Sequence, residues 1–373
     1  MICTKTKYIN LLNLFIALFF TACATVNNDY PDISNLEDEE CRVNSSELFA
    51  SIKTIALETS DSCLLSNPSL IDFCDDGIFV WNRKAVYRFD SNGHFINRIG
   101  KTGHGYGEYT DVNATNYDRK RKIIYIGTFS NDIYKYDIKG KYLGKFHISA
   151  GKDILMTSRW SESLGLYVCE TRHYRADGLD VNLTTWTTDG KMAASYHVYS
   201  DNESVDRNFT RTGSLNDIDD GMLFRLPFCD TVYKLSKDSL SEFTTIDRGM
   251  HSPNRNMVED NKNESKLEKE FYYISHWNVT TNYIYMTIDC YRGFRNVIIR
   301  LADNEMIYNQ YYSYQEDDGT HQIPLKELHG NATFWPWIAK GNKVAGLVDN
   351  IDKSKNPILV IATERDTHIN KND

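Results

Sequence analysis

At 373 residues, with 41% hydrophobic and 13% aromatic side chains, the chain has the apolar content for a sizeable packed core, which excludes wholesale disorder. Its 24 tyrosines against only 7 prolines favour strands over helices. A formal charge of −9, with no basic run, argues against a phosphate backbone as partner, so no nucleic acid is expected.

The N-terminus differs from everything after it. Lys5 and Lys7 precede a nearly continuous apolar run from Leu11 to Phe20, too short to cross a ~30 Å hydrocarbon layer but the right size for a signal-peptide core. Residues 1–22 are therefore read as a cleaved leader, with an uncleaved membrane anchor as the alternative. Thr21 and Ala22 directly before Cys23 resemble the bacterial lipobox, which makes Cys23 the expected lipid attachment site and the membrane the expected partner. Each buried acyl CH₂ contributes ~0.8 kcal/mol, so several chains on Cys23 hold the protein firmly. Cleavage removes two lysines and no acid, moving the charge from −9 to about −11. Residues 23–48, with Asn27, Asn28, Asp29 and the acidic run Glu37 to Glu40, read as a solvated, lipidated tether.

From residue 49 onward the pattern is a repeat. The stretch Val86 to Ile99 matches Ile133 to Phe146, aligning Asp90 with Asp137 and Gly93 with Gly140, an offset of 47 residues. Each copy alternates apolar and polar residues, breaks at Asp-x-x-Gly and alternates again, as a hairpin with glycine at positive φ does. A degenerate third copy ends at Gly190. Short apolar runs upstream, such as Gly77 to Trp81, Ile123 to Ile126 and Leu166 to Cys169, give four strands per unit, and six units follow from Ser69 onward. The last unit offers only three strands, while Ile52 to Leu57 is an orphan strand near the N-terminus. The expected fold class is therefore all-β: a six-bladed β-propeller of four-stranded antiparallel blades over residues 49–365, its last blade closed by an N-terminal strand, with a polar tail at 366–373. Asn263 to Ile274 breaks the pattern and is expected to form a short helix between blades 4 and 5.

Six cysteines remain beyond Cys3 and Cys23, sparse and without a CxxC pair, so neither a disulfide scaffold nor a zinc site is signalled. A Cys63–Cys74 bridge is conceivable in an exported protein, whereas Cys169, Cys229 and Cys290 lie in strand-like runs that suit buried thiols.

Four stretches carry a resemblance: Ile52 to Thr59, Phe89 to Phe95 around Asp90 and Gly93, Ile99 to Tyr109, and Asn356 to Ile361. With these the chain resembles the six-bladed β-propeller lipoproteins of Bacteroidetes, relatives in shape of the NHL-repeat propellers. In the glycine-rich segment Tyr106 stands where that family has proline. The resemblance implies a cell-envelope lipoprotein, at the outer membrane, with a propeller of undefined activity.

Lys101, Gly103, His104, Gly105, Gly107, Glu108 and Tyr109 form the most distinctive loop and are the candidate ligand-binding residues. A nucleotide fingerprint must leave a parallel strand and enter a helix; this one joins two antiparallel strand runs, so that reading fails. Linking blade 1 to blade 2, the loop is placed to line a mouth of the central channel, with tight backbone geometry from its glycines as the plainer explanation. No HExxH, no Gly-x-Ser-x-Gly elbow and no assignable Cys–His pair is present, so no catalytic residue is named. A divalent cation on the propeller axis remains open as a cofactor, because its ligands would come singly from several blades. The doublets Asp75-Asp76 and Asp219-Asp220 each precede a glycine and suit turns. Arg225, Trp335 and Pro336 are expected near the ring, with scattered tryptophans filling space between sheets. The function expected is a non-catalytic binding or interaction propeller with an unknown protein, small-molecule or glycan ligand. Its rival is a metal-dependent hydrolase or lactonase-like enzyme with an axial ion.

Overall fold

A computed structural model describes residues 30–38, 40–82, 84–202, 212–253, 270–315, 322–326 and 332–366. The leader, Cys23, most of the helix expected at 263–274 and most of the polar tail lie outside these residues. Tyr273 and Ile274, at the end of that expected helix, instead begin a strand, Tyr273–Val279.

Six four-stranded antiparallel sheets form the body. Blade 1 runs Ser69–Cys74, Gly77–Trp81, Val86–Phe89 and Phe95–Ile99; blade 2 runs from Ala114–Asp118 to Tyr142–His147; blade 3 from Ile154–Ser161 to Met192–Asp201. Blade 4 spans Ser214–Ile218 to Leu240–Thr245, and blade 5 spans Tyr273–Val279 to Glu305–Ser313. A two-stranded sheet, Ile323–Pro324 with Thr333–Phe334, separates blade 5 from blade 6. Each blade's inner strand contacts the inner strands of both neighbours, so the ring is continuous around an axis.

The repeat comes from local turn chemistry. Asp90 Oδ1 accepts the N–H groups of Asn92 and His94, and Asp137 Oδ1 accepts those of Lys139 and Lys141. The chain then reverses through Gly93 at φ 89° and Gly140 at φ 88°, a region closed to most side chains. Between blades the sheets bury large side chains against one another. Tyr125 of blade 2, for example, meets both Trp160 and Tyr167 of blade 3 with ring centroids 5.2 Å apart.

Blade 6 contains Ile338–Lys340, Lys343–Val348 and Ile358–Glu364, and its fourth strand is Phe49–Ala56 from the other end of the sequence. The register pairs Ile52 with Ala362, Ile55 with Leu359 and Ala56 with Ile358. The closure expected from the sequence is therefore the one the chain adopts.

The part of the expected tether that is described does not behave as a solvated linker. Ile33 and Leu36 are fully buried against a cluster that includes Trp277, Ile284 and Ile299. The backbone bonds Asp247 in both directions (Ile33 N to Asp247 O 2.8 Å, Asp247 N to Pro31 O 2.9 Å), and farther on Cys41 O accepts Asn309 N at 2.9 Å. These residues form a strap across the outside of blade 5 that leads into the closing strand, because two apolar side chains three positions apart outweigh the acidic run beside them. The cysteines also differ from two expectations: Cys63 and Cys74 do not bridge, and Cys229 is only half-buried, while Cys63, Cys169 and Cys290 are buried.

Glu364 ends the third strand of blade 6 beneath the closure. It is 2% exposed and accepts the Tyr285 hydroxyl at 2.9 Å and Asn282 Nδ2 at 3.1 Å. Burial pushes its carboxyl up from the ordinary 4.5 to about 7. The folded state thus disfavours the carboxylate, so this group lowers stability progressively as pH rises from about 4.5 to about 7 and by a constant amount above that. Glu364→Gln is expected to raise stability at pH 8, by about 3 kcal/mol at most given that a tenfold change in proton affinity is worth about 1.4 kcal/mol, and to leave it unchanged near pH 4. Denaturant titrations at the two pH values check this.

Candidate functional site: the axial channel

A channel of about 870 Å³ follows the ring axis. Its wall is built around all six inner strands and the turns that follow them, and blade 4 adds Leu223, Lys234 and Phe243 from its other strands.

Three blades meet at Asp72. This residue of the first inner strand is 1% exposed; its carboxylate accepts Arg119 Nη2 at 2.7 Å and Nε at 3.0 Å from blade 2, and Lys340 Nζ at 2.8 Å from blade 6. Arg119 continues to the Phe73 carbonyl at 3.0 Å. Burial lowers the pKa of the Lys340 ammonium, and Asp72 opposes that shift. The carboxylate therefore acts as an electrostatic pin between the first, second and last blades.

On the far wall Asp217 of blade 4 accepts the Ser161 hydroxyl at 2.7 Å and the Glu162 N–H at 3.2 Å, and burial pushes its pKa up. Arg159 of blade 3 lies close enough for Asp217 and Asp72 to act on it electrostatically, but the group it bonds is neutral, the Leu215 carbonyl, which accepts Nη1 at 3.0 Å. His276 of blade 5 sits against the ring of Trp337, centroids 4.7 Å apart, and its Nε2 is 2.9 Å from Asn278 Nδ2. Burial, and then the field of Arg159, lower its pKa to about 4, so the imidazole is neutral at pH 7. Among the described residues no group of three His, Cys, Asp or Glu side chains is placed to hold a metal ion.

The glycine-rich loop is elsewhere. It precedes the inner strand Ala114–Asp118, whereas Arg119, Glu162 and Lys340 stand where inner strands end, so the antiparallel order puts them toward opposite faces. None of Lys101, Gly103, His104, Gly105, Gly107, Glu108 and Tyr109 is among the described residues that line the channel. The loop is bonded to itself: Lys101 Nζ meets Glu108 Oε1 at 2.6 Å, Gly105 N donates to Glu108 Oε2 at 2.9 Å, and Gly103 N donates to Tyr109 O at 2.9 Å. The bond to Lys101, and then the one to Gly105, hold the Glu108 carboxyl below its ordinary range. Tyr109 is fully buried, and Gly107 takes φ 72° against the Tyr142 ring. Tight geometry therefore accounts for the glycines, leaving His104 and Tyr106 exposed.

The other residues that stand out in the sequence divide similarly. Asp76, in a turn of blade 1, accepts Tyr117 Oη at 2.8 Å and Lys122 Nζ at 2.5 Å from blade 2, whereas Asp219 and Asp220 line the channel, where Asp220 accepts Lys234 Nζ at 2.6 Å. Arg225 and Trp335 do not line the channel; both are buried, Arg225 donating to the carbonyls of Leu226 and Ile274 and Trp335 packed on Tyr285. Trp81, Trp160, Trp277 and Trp337 do line it. Asp72, Arg119, Arg159, Asp217, His276 and Lys340 belong to no sequence motif. The signal that could have found them is their shared place in or just after the first strand of successive repeats.

Comparison with solved structures supports the same architecture. A Bacteroides fragilis protein designated as exported superposes with a TM-score of 0.61 at 14% identity, covering 88% of this chain and 98% of its own. The WD40 propeller domain of Doa1 (TM-score 0.43, 12% identity, 85% and 97% covered) and a Bacteroides caccae protein of unknown function (0.36, 10%, 76% and 82%) match more loosely and carry no argument. No curated protein matches the chain. Residues 31–363, from the strap to the end of the last blade, match one family throughout, so the chain belongs to the family described as a domain of unknown function, DUF4934.

Proposed function

We propose that the protein is an exported, envelope-anchored lipoprotein, held at the outer membrane through Cys23, whose NHL-like ring serves as a non-catalytic binding module with the axial channel as its ligand-contact surface. The observation that carries this reading is that the channel is roomy yet four of the five described carboxylates lining it are already engaged, Asp220 by Lys234 among them. Asp72 is held by Arg119 and Lys340, Asp217 by Ser161 and Glu162, and Glu162 by the indole N–H of Trp160 and the backbone of Arg119. Acid–base or metal-assisted hydrolysis needs carboxylates free to bind an ion or move a proton, and these are occupied in pinning blades together. A rigid ring with a small-molecule-sized cavity suits recognition. The exported relative in Bacteroides fragilis supports the envelope address.

Cys23→Ala is expected to move the protein from the membrane fraction to the soluble fraction without changing its thermal midpoint. Persistent membrane association would contradict the anchor.

A further inference from the structure

We propose that the channel is a site for a small organic acid: Arg159 receives the ligand's single carboxylate, and the uncharged remainder of the ligand lies along the channel wall toward His276 and Trp337. This deepens the binding reading above and rests on it.

Arg159 stands on the inner strand Ile154–Ser161 and reaches across to blade 4, where Nη1 is fixed by the Leu215 carbonyl at 3.0 Å. No carboxylate oxygen of the described residues comes within 4.0 Å of it. The two acids whose fields reach it, Asp217 and Asp72, are bonded to other donors. Its remaining N–H groups are not sealed orphans; they open on the channel that Arg159 lines. A guanidinium carries five N–H donors in a planar fork, so this one offers a bidentate face to an incoming anion.

The surroundings select the charge and kind of that anion. Arg119 and Lys340 are paired with Asp72 and Lys234 with Asp220, whereas Arg159 bonds only a neutral carbonyl, so its charge on this wall is left for a ligand to meet. A charge enclosed by protein without a partner is costly, and one carboxylate neutralises it. A phosphate monoester would bring close to two charges and further oxygens in need of donors. Neutral His276 adds no second cation, and Trp337 offers a half-exposed ring beside it. The volume suits a small molecule rather than a peptide segment or a lone ion.

The test uses the full chain in detergent and reads the thermal midpoint against sodium acetate, benzoate, glucuronate and phosphate, each matched to sodium chloride of equal ionic strength. At least one carboxylate is expected to give a saturable rise in wild type, and Arg159→Met is expected to weaken that response by about tenfold or more. Without ligand, Arg159→Met is expected to melt at or above the wild-type temperature, since an unpaired charge has been removed. The proposal is overturned if no carboxylate shifts wild type, if wild type and Arg159→Met respond alike, if phosphate protects more strongly than every carboxylate, or if Arg159→Met melts far below wild type as a structural arginine would. Chemical turnover of a carboxylate that depends on Arg159 would support the site while contradicting the non-catalytic reading, so the two fail separately.

Discussion

Deleting residues 46–58 is expected to remove the cooperative thermal transition of the protein altogether. Leu48, Phe49, Ile55 and Leu57 are each no more than 5% exposed, and they reach two separate clusters of the core. At ~1.5–3 kcal/mol for each buried side chain, their loss amounts to about 6–12 kcal/mol, comparable with the ~5–15 kcal/mol that holds a typical protein folded. The deletion also bares the hydrogen-bonding edge of Ile358–Glu364, which invites association with other chains. The milder variant Ile55→Asp leaves the backbone pairing possible but sets a charge against Leu70 and Val80 of blade 1. Circular dichroism melts of both variants are expected to show loss of the transition for the deletion and a large downward shift for Ile55→Asp. A wild-type melt for either would mean that blade 6 is stable with three strands.

The second large effect belongs to Asp72. Asp72→Asn keeps the shape of the side chain but removes the charge on which Arg119 and Lys340 converge. Removing one partner from a buried ion network leaves the other charges uncompensated, so a loss of about 3–5 kcal/mol is expected. Because the network joins blades 1, 2 and 6, the loss should appear in urea unfolding of the whole ring rather than in one blade. The double variant Asp72→Asn with Lys340→Met is expected to recover part of the stability, since one stranded cation has gone. If the double variant is as unstable as the sum of the two single changes, Asp72 and Lys340 are not coupled.

The fold is legible in the sequence wherever its cause is local. Asp90 and Asp137 must accept the N–H groups of their own turns, and Gly93 and Gly140 must take positive φ, so the same letters recur at a fixed offset and expose the repeat. The closure is legible by subtraction, since a three-stranded last unit and an orphan strand at Ile52 to Leu57 complete one another. The strap misleads because charge dominates the composition of residues 37 to 40, whereas burial is decided by Ile33 and Leu36 alone. The site is illegible for a geometric reason. Asp72, Arg119, Arg159, Asp217, His276 and Lys340 come from six blades, so no short spacing connects them, and they become neighbours only when the ring closes. The glycine-rich loop draws attention because its residue types are rare together, yet those types are used up in holding the loop's own backbone.

Closure also bears on function, since a channel with one wall unfastened would not hold Asp72 between Arg119 and Lys340. Native-state hydrogen exchange resolved by peptide measures this most directly. The amides of residues 49–56 are expected to exchange as slowly as those of residues 358–364, and both sets to lose protection together in rising denaturant. Fast exchange at 49–56 while 358–364 stays protected would contradict a ring fastened by its own N-terminal strand.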